Sequence, residues 1–121
     1  MKLLVFGPGN VGKTLFIQRM NKVVLEMCGF TNVCESCEPK DLSILDYDAI
    51  ILMCDNTTQN IHTWYFKVLD TRKPFILVAN KRDLGLNDKC THEPQIHVSA
   101  ETGENCAAAL FMLLGMITSK Y

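Results

Sequence analysis

Ala49 to Cys54 reads Ala-Ile-Ile-Leu-Met-Cys without a polar break, and unbroken apolarity over the length of a strand means burial on both faces. A sheet meets that condition when its strands are parallel and helices cover it on either side. Leu3 to Phe6 and Phe75 to Ala79 repeat the pattern. Segments of helical spacing lie between these runs: Leu15, Phe16, Met20, Val23, Val24 and Met27 predict one helix over Thr14 to Met27, and Ile61, Trp64, Tyr65, Val68 and Leu69 predict another. Strands alternating with helices select a three-layer α/β fold, a mostly parallel sheet of about five strands with helices on both faces and ligand loops at the carboxyl ends of the strands.

The remaining elements follow from the same signals. Cys28-Gly29 provides a helix stop, and Phe30 to Ser36 fits a short strand with Phe30 anchored in the core. Pro39 permits a short helix whose apolar side is Leu42, Ile44 and Leu45. The polar stretch Gly85 to Gln95 is expected to be loop or at most a short helix. Ile96 to Ser99 predicts the last strand, Ala100 to Gly103 a turn, and Glu104 to Ser119 an Ala- and Leu-rich final helix. Trp64, on a helical stripe, is expected to pack against the sheet.

Directly after the first apolar run stands Gly7-Pro8-Gly9-Asn10-Val11-Gly12-Lys13-Thr14, which is G-x-x-x-x-G-K-T. Such a loop lets successive backbone N–H groups turn toward a phosphate at the positive end of the following helix. In that arrangement Lys13 would reach the β- and γ-phosphates and the Thr14 hydroxyl would bind Mg²⁺. The fold class narrows to a three-layer P-loop NTPase fold.

At 121 residues and 48% hydrophobic content, the chain can bury the core of one domain spanning 1–121 and has no room for a second. A net charge of −1 with no basic run excludes the electrostatic footprint of nucleic-acid binding. No apolar stretch approaches ~20 residues. There is no signal-peptide pattern, and Ser119-Lys120-Tyr121 offers no prenylation cysteine. The expectation is a cytoplasmic protein without a membrane anchor. Six cysteines are expected to be reduced thiols, since a phosphate-binding loop belongs where nucleotides are. Cys34 and Cys37 form a C-x-x-C that could be drawn with Cys90 and His92 as a zinc site.

The phosphate loop leaves the base open, and the carboxyl ends of the later strands address it. Asn80-Lys81-Arg82-Asp83 is N-K-x-D, and Ser99-Ala100-Glu101-Thr102-Gly103 has the form S-A-x-T-G. With these motifs in order on the expected elements, the chain resembles the small, Ras-like GTPases of the translation-factor-related P-loop class over nearly its full length. Chemistry supports guanine independently. A carboxylate such as Asp83 can accept from both N1–H and the 2-amino group, a donor pair that adenine lacks. The Ala100 N–H could donate to O6, Asn80 would tie the loops together, and the Lys81 stem would cover the base and ribose. The nucleotide-binding set is then Gly7, Gly9, Asn10, Val11, Gly12, Lys13, Thr14, Asn80, Lys81, Asp83, Ser99, Ala100 and Glu101. Lys13 is also the catalytic candidate and Thr14 the metal ligand.

The departures from the family are as informative. Ras-like proteins carry a switch threonine and a D-x-x-G between the first helix and the strand matching Ala49 to Cys54, and neither is visible. Residues 29 to 46 suffice for one strand and a short connection, so the usual hairpin is expected to be reduced to one strand. Thr31 and Glu35 or Glu38 are the nearest substitutes for the lost metal contacts. Asn10 stands where some relatives hold K⁺ with an asparagine, although a tolerated turn residue is the plainer reading. His62 and His97 are expected to be structural. The resemblance implies a GTP- and GDP-binding protein with Mg²⁺, slow GTP hydrolysis, and a protein partner or homodimer that completes the switch region. The alternative is a catalytically inert GTP/GDP-binding module.

Overall fold

The computed structural model describes residues 1–7, 12–20, 22–30, 32–36, 47–55, 61–80, 96–99, 102–103 and 105–119. The strands are β1 (Lys2–Phe6), β2 (Asn32–Ser36), β3 (Ala49–Asp55), β4 (Phe75–Asn80) and β5 (Ile96–Val98). The helices are α1 (Lys13–Arg19), α2 (Lys22–Met27), α3 (Ile61–Asp70) and α4 (Cys106–Ser119). The strands form one sheet in the order β2-β1-β3-β4-β5, and every pairing is parallel.

The unbroken apolar runs resolve into two alternating sets. Leu3, Val5, Ile51, Met53, Ile76 and Val78 face one way and pack with Phe16 and Met20 from the first helical region and Ala109, Leu110, Leu113 and Ile117 of α4. Leu4, Phe6, Ile50, Leu52, Cys54 and Leu77 face the other way, against Val68, Trp64 and Tyr65 of α3. A period of two with both faces buried is why no polar residue interrupts these strands. Trp64 lies 5.0 Å from Phe6 between ring centroids, as a sheet-packing residue should.

The sheet order reverses at β1: the chain leaves β1 for β2 on one side and returns to β3 on the other. Crevices at such a reversal, outside the carboxyl ends of the strands, are where open α/β sheets bind ligands. β2 pairs parallel to β1 from Lys2↔Asn32 to Phe6↔Ser36, so among the described residues a single strand stands where the resemblance would place a hairpin. Phe30 is buried in the core as expected.

One expectation is corrected. The predicted helix over Thr14 to Met27 is two helices, because Met20 leaves the helical region at φ −75°, ψ 102° after its N–H closes the last bond to Phe16 O. Met20 is 2% exposed. Its side chain stays in the core with Phe16 and Leu25 although the backbone leaves the helical region there. At the end of α2, the Gly29 N–H donates to Glu26 O and the Phe30 N–H to Leu25 O, a Schellman cap with Leu25 and Phe30 both buried. The short helix over Pro39 to Leu45 and the stretch Gly85 to Gln95 lie outside the described residues.

Candidate functional site

β1 ends at the sheet reversal, and its next residue, Gly7, is pressed against β3. A Cβ on Gly7 would collide with the Met53 carbonyl oxygen. Only glycine fits at this position, where the chain leaves β1 pressed against the neighbouring strand. Gly12, immediately before α1, sits at φ 91°, ψ 24° in the left-handed region and accepts the Phe16 N–H at 2.9 Å. It enters the helix without a side-chain cap, which leaves the first-turn N–H groups to be satisfied by other partners.

The Lys13 side chain folds back across the loop, and its Nζ donates to the Gly7 carbonyl at 2.9 Å. Lys13 is 7% exposed. Burying an ammonium is costly unless it is bonded, and the Gly7 carbonyl supplies such a bond. The two glycines therefore have linked roles: one lets the backbone approach β3, the other starts the helix that carries the lysine over the first. Thr14, next along α1, is exposed. Among the described residues no group of three or more His, Cys, Asp or Glu could hold a metal ion.

Two adjacent strand ends supply the other half. Asn80 is the last residue of β4, buried and in register with Asp55 of β3 on one side and Val98 of β5 on the other. Ser99 follows β5 directly and is buried. Its hydroxyl accepts the Thr102 N–H at 3.3 Å and its carbonyl accepts the Gly103 N–H at 2.8 Å. Ser99 thus holds its own turn closed. The Asn105 side chain, at φ 62°, donates to the His97 carbonyl at 3.0 Å and carries the chain into α4. His97 is exposed on β5, and its visible role is this backbone acceptor.

The fold therefore brings together Gly7, Gly12, Lys13, Thr14, Asn80 and Ser99 at the carboxyl ends of β1, β4 and β5. Gly9, Asn10, Val11, Lys81, Asp83, Ala100 and Glu101 lie outside the described residues. So do Thr31, Cys37, Glu38, Cys90 and His92, and the side chains of Cys34, Glu35 and His62. Cys28, Cys54 and Cys106 are buried cysteines outside any disulfide. Burial pushes Cys106 up from its ordinary value against a smaller opposing pull from Arg19, and burial alone raises Cys28.

Two contributors escaped the sequence reading. Met53 walls the loop through its backbone carbonyl, which no side-chain pattern can reveal. The Arg19 side chain passes the turn after Ser99, its Cδ 3.8 Å from where a Cβ on Gly103 would stand. An arginine in the last turn of α1 reads from sequence as an ordinary solvated residue.

No family model matches the chain, and no curated protein sequence matches it. Among solved structures, the crystal structure of a probable GTP-binding protein engB is similar to it, with a TM-score of 0.66 over 98% of this chain and 99% of that one at 15% identity. At that identity the likeness establishes the fold, which is the α/β fold of P-loop GTPases with a five-stranded parallel sheet.

Proposed function

We propose that this chain is a minimal Ras-like G domain spanning 1–121 that binds GTP and GDP with Mg²⁺ and hydrolyses GTP slowly. The observation that carries the reading is the buried Lys13 ammonium, held on the Gly7 carbonyl over a glycine-entered helix at the sheet reversal. A cation kept there, beside the N–H groups of a helix start, suits a polyphosphate. Lys13 exchanges its carbonyl contact for phosphate oxygens, and the backbone from Gly9 to Thr14 supplies N–H donors. Thr14 would hold Mg²⁺, which when bound neutralises charge on the phosphates. At the other end Asp83 reads the guanine donor pair, Ala100 and Glu101 line the base through their backbone, and Lys81 covers its face. Asn80 and Ser99 fix the two loops at neighbouring strand ends. Support for guanine comes from these motifs and from the likeness in fold to a protein described as GTP-binding.

Calorimetric titration with GDP and Mg²⁺ tests the reading. Lys13→Ala should weaken binding about ten- to hundredfold, as expected for losing a hydrogen bond from a charged group worth about 1.5–3 kcal/mol. Asp83→Asn should lose guanine affinity and gain xanthine affinity, because the amide donates to the 2-oxo group. GDP binding unchanged in both variants would remove the assignment.

A further inference from the structure

Helix α1 begins at the phosphate loop and ends beside the turn that follows β5. Arg19 stands in its last turn and, being exposed, has water as an alternative neighbour. Its Cδ nonetheless lies 3.8 Å from where a Cβ on Gly103 would stand. Gly103, at φ 84°, joins both sides of that turn: its N–H donates to the Ser99 carbonyl at 2.8 Å and its carbonyl accepts the Cys106 N–H at 3.3 Å. The Cys106 thiol donates to the same Ser99 carbonyl at 3.7 Å, and the positive charge of Arg19 acts on that thiol against the upward push of burial. Closeness to Gly103 and charge felt at Cys106 agree in placing Arg19 over the joint between β5 and α4.

We infer that Arg19 is a positioning residue for the base: lying across the turn from Ser99 to Gly103, it sets the distance between the loop that meets guanine and the helix that carries Lys13. The inference rests on the guanine-nucleotide reading of the site and adds a link between its two halves. A solvated arginine lays its stem on whatever surface adjoins it, so the contact by itself carries no function. The surface gives it one. Ser99 opens the loop proposed to line the base and Gly103 closes it with a bond back to Ser99, so a side chain laid on Gly103 bears on the loop between them.

The helix is suited to carry that link. With 7 residues it is about 10 Å long, Lys13 at one end and Arg19 at the other. Phe16 and Met20 are buried with Ala109, Leu110 and Leu113 of α4, so α1 is anchored in the core and Arg19 acts from a fixed base. A ligand held by its phosphates at the first end and by its base at the second depends on the spacing between the two. A turn already held at that spacing leaves less loop ordering to be done on binding, which is a gain in affinity by preorganisation. Without Arg19 the turn keeps its own hydrogen bonds to Ser99 but loses the contact that fixes it against α1. The loss falls on the base and spares the phosphates.

Calorimetric titration of the full chain with GDP and, separately, with inorganic pyrophosphate, both with Mg²⁺, tests the inference. Arg19→Ala should weaken GDP binding about three- to thirtyfold, the span of a coupling carried by a residue that touches no ligand, and leave pyrophosphate, which has no base, unchanged. Arg19→Lys, which keeps both a methylene at Cδ and the charge, should restore most of the GDP affinity. In the ligand-free proteins the Thr102 and Gly103 amides, bonded to Ser99, should exchange with solvent faster in Arg19→Ala than in the parent or in Arg19→Lys. All three should melt within a few degrees of one another, since the position is exposed. GDP affinity unchanged in Arg19→Ala overturns the inference, as does a loss that pyrophosphate shares or amide exchange that stays at the parent rate. In each of those outcomes a parent that binds GDP keeps the guanine-nucleotide reading, whereas a parent that binds no GDP overturns both.

Discussion

Glycine at position 7 is dictated by a backbone atom of another strand. Gly7→Ala drives its new methyl into the Met53 carbonyl, and neither backbone can yield without disturbing the β1–β3 register. The loss should be roughly 1–3 kcal/mol, typical of overpacking, read as a lower urea midpoint at unchanged m-value. Arg72 presents the opposite case. It ends α3 at φ 59°, with its N–H donating to Leu69 O, in a region where a side chain is strained and glycine is not. Arg72→Gly removes that strain but adds freedom to the unfolded chain, so the net gain should be about 0.5–1 kcal/mol, visible as a raised Tm. A variant that melts lower would mean that the Arg72 side chain makes a stabilising contact outweighing its strain.

Among the elements, the interrupted first helix separates local preference from packing. Alanine is the better helix former by a few tenths of a kcal/mol, so if continuity of α1 into α2 governed stability, Met20→Ala would be harmless or helpful. The buried position predicts the reverse: Met20 is packed in the core with Phe16 and Leu25, and truncating a buried methionine costs about 2–5 kcal/mol. Chemical denaturation with circular dichroism distinguishes the two, since only the packing account couples a large stability loss to unchanged native helix content. At the other end of the site, Ser99 closes its own turn through the Thr102 and Gly103 N–H groups. Thr102 and Gly103 are thereby tied back to the end of the last strand.

For the whole molecule, the shortened stretch between α2 and β3 bears on turnover. Phosphoryl transfer depends on positioning water and on placing charge around the γ-phosphate, and in the proposed GTPase Lys13 with Mg²⁺ would supply only part of that. With no recognisable switch threonine, D-x-x-G or following glutamine, nothing identifiable in the chain holds the attacking water in line. Single-turnover hydrolysis by the purified protein at saturating Mg²⁺ should therefore run at or below ~10⁻⁴ s⁻¹. A rate near ~1 s⁻¹ would reveal a catalytic element within the chain itself. No detectable cleavage alongside tight GTP binding would favour the inert nucleotide-binding module over a slow enzyme.

The sequence by itself determined the layers and the point where the chain passes from β1 to α1. Runs such as Ala49 to Cys54 impose burial on both faces whatever surrounds them, and the spacing of Gly7, Gly12, Lys13 and Thr14 is a local property of the chain. The stop at Gly29 and the core seat of Phe30 were legible for the same reason, since a Schellman cap is made from neighbouring residues. Tertiary structure decided what depends on atoms distant in sequence. Thr14 to Met27 has helical spacing throughout, yet the backbone leaves the helical region at Met20, a break that the spacing does not announce. Gly7 reads as a turn residue until the β3 carbonyl is beside it. Composition makes α4 apolar all round, but only docking on the sheet selects which stripe is buried and leaves Phe111 and Met112 outside. Periodicity reports how residues are arranged about their own axis, whereas the side that faces the core is fixed by the neighbours against which the element packs.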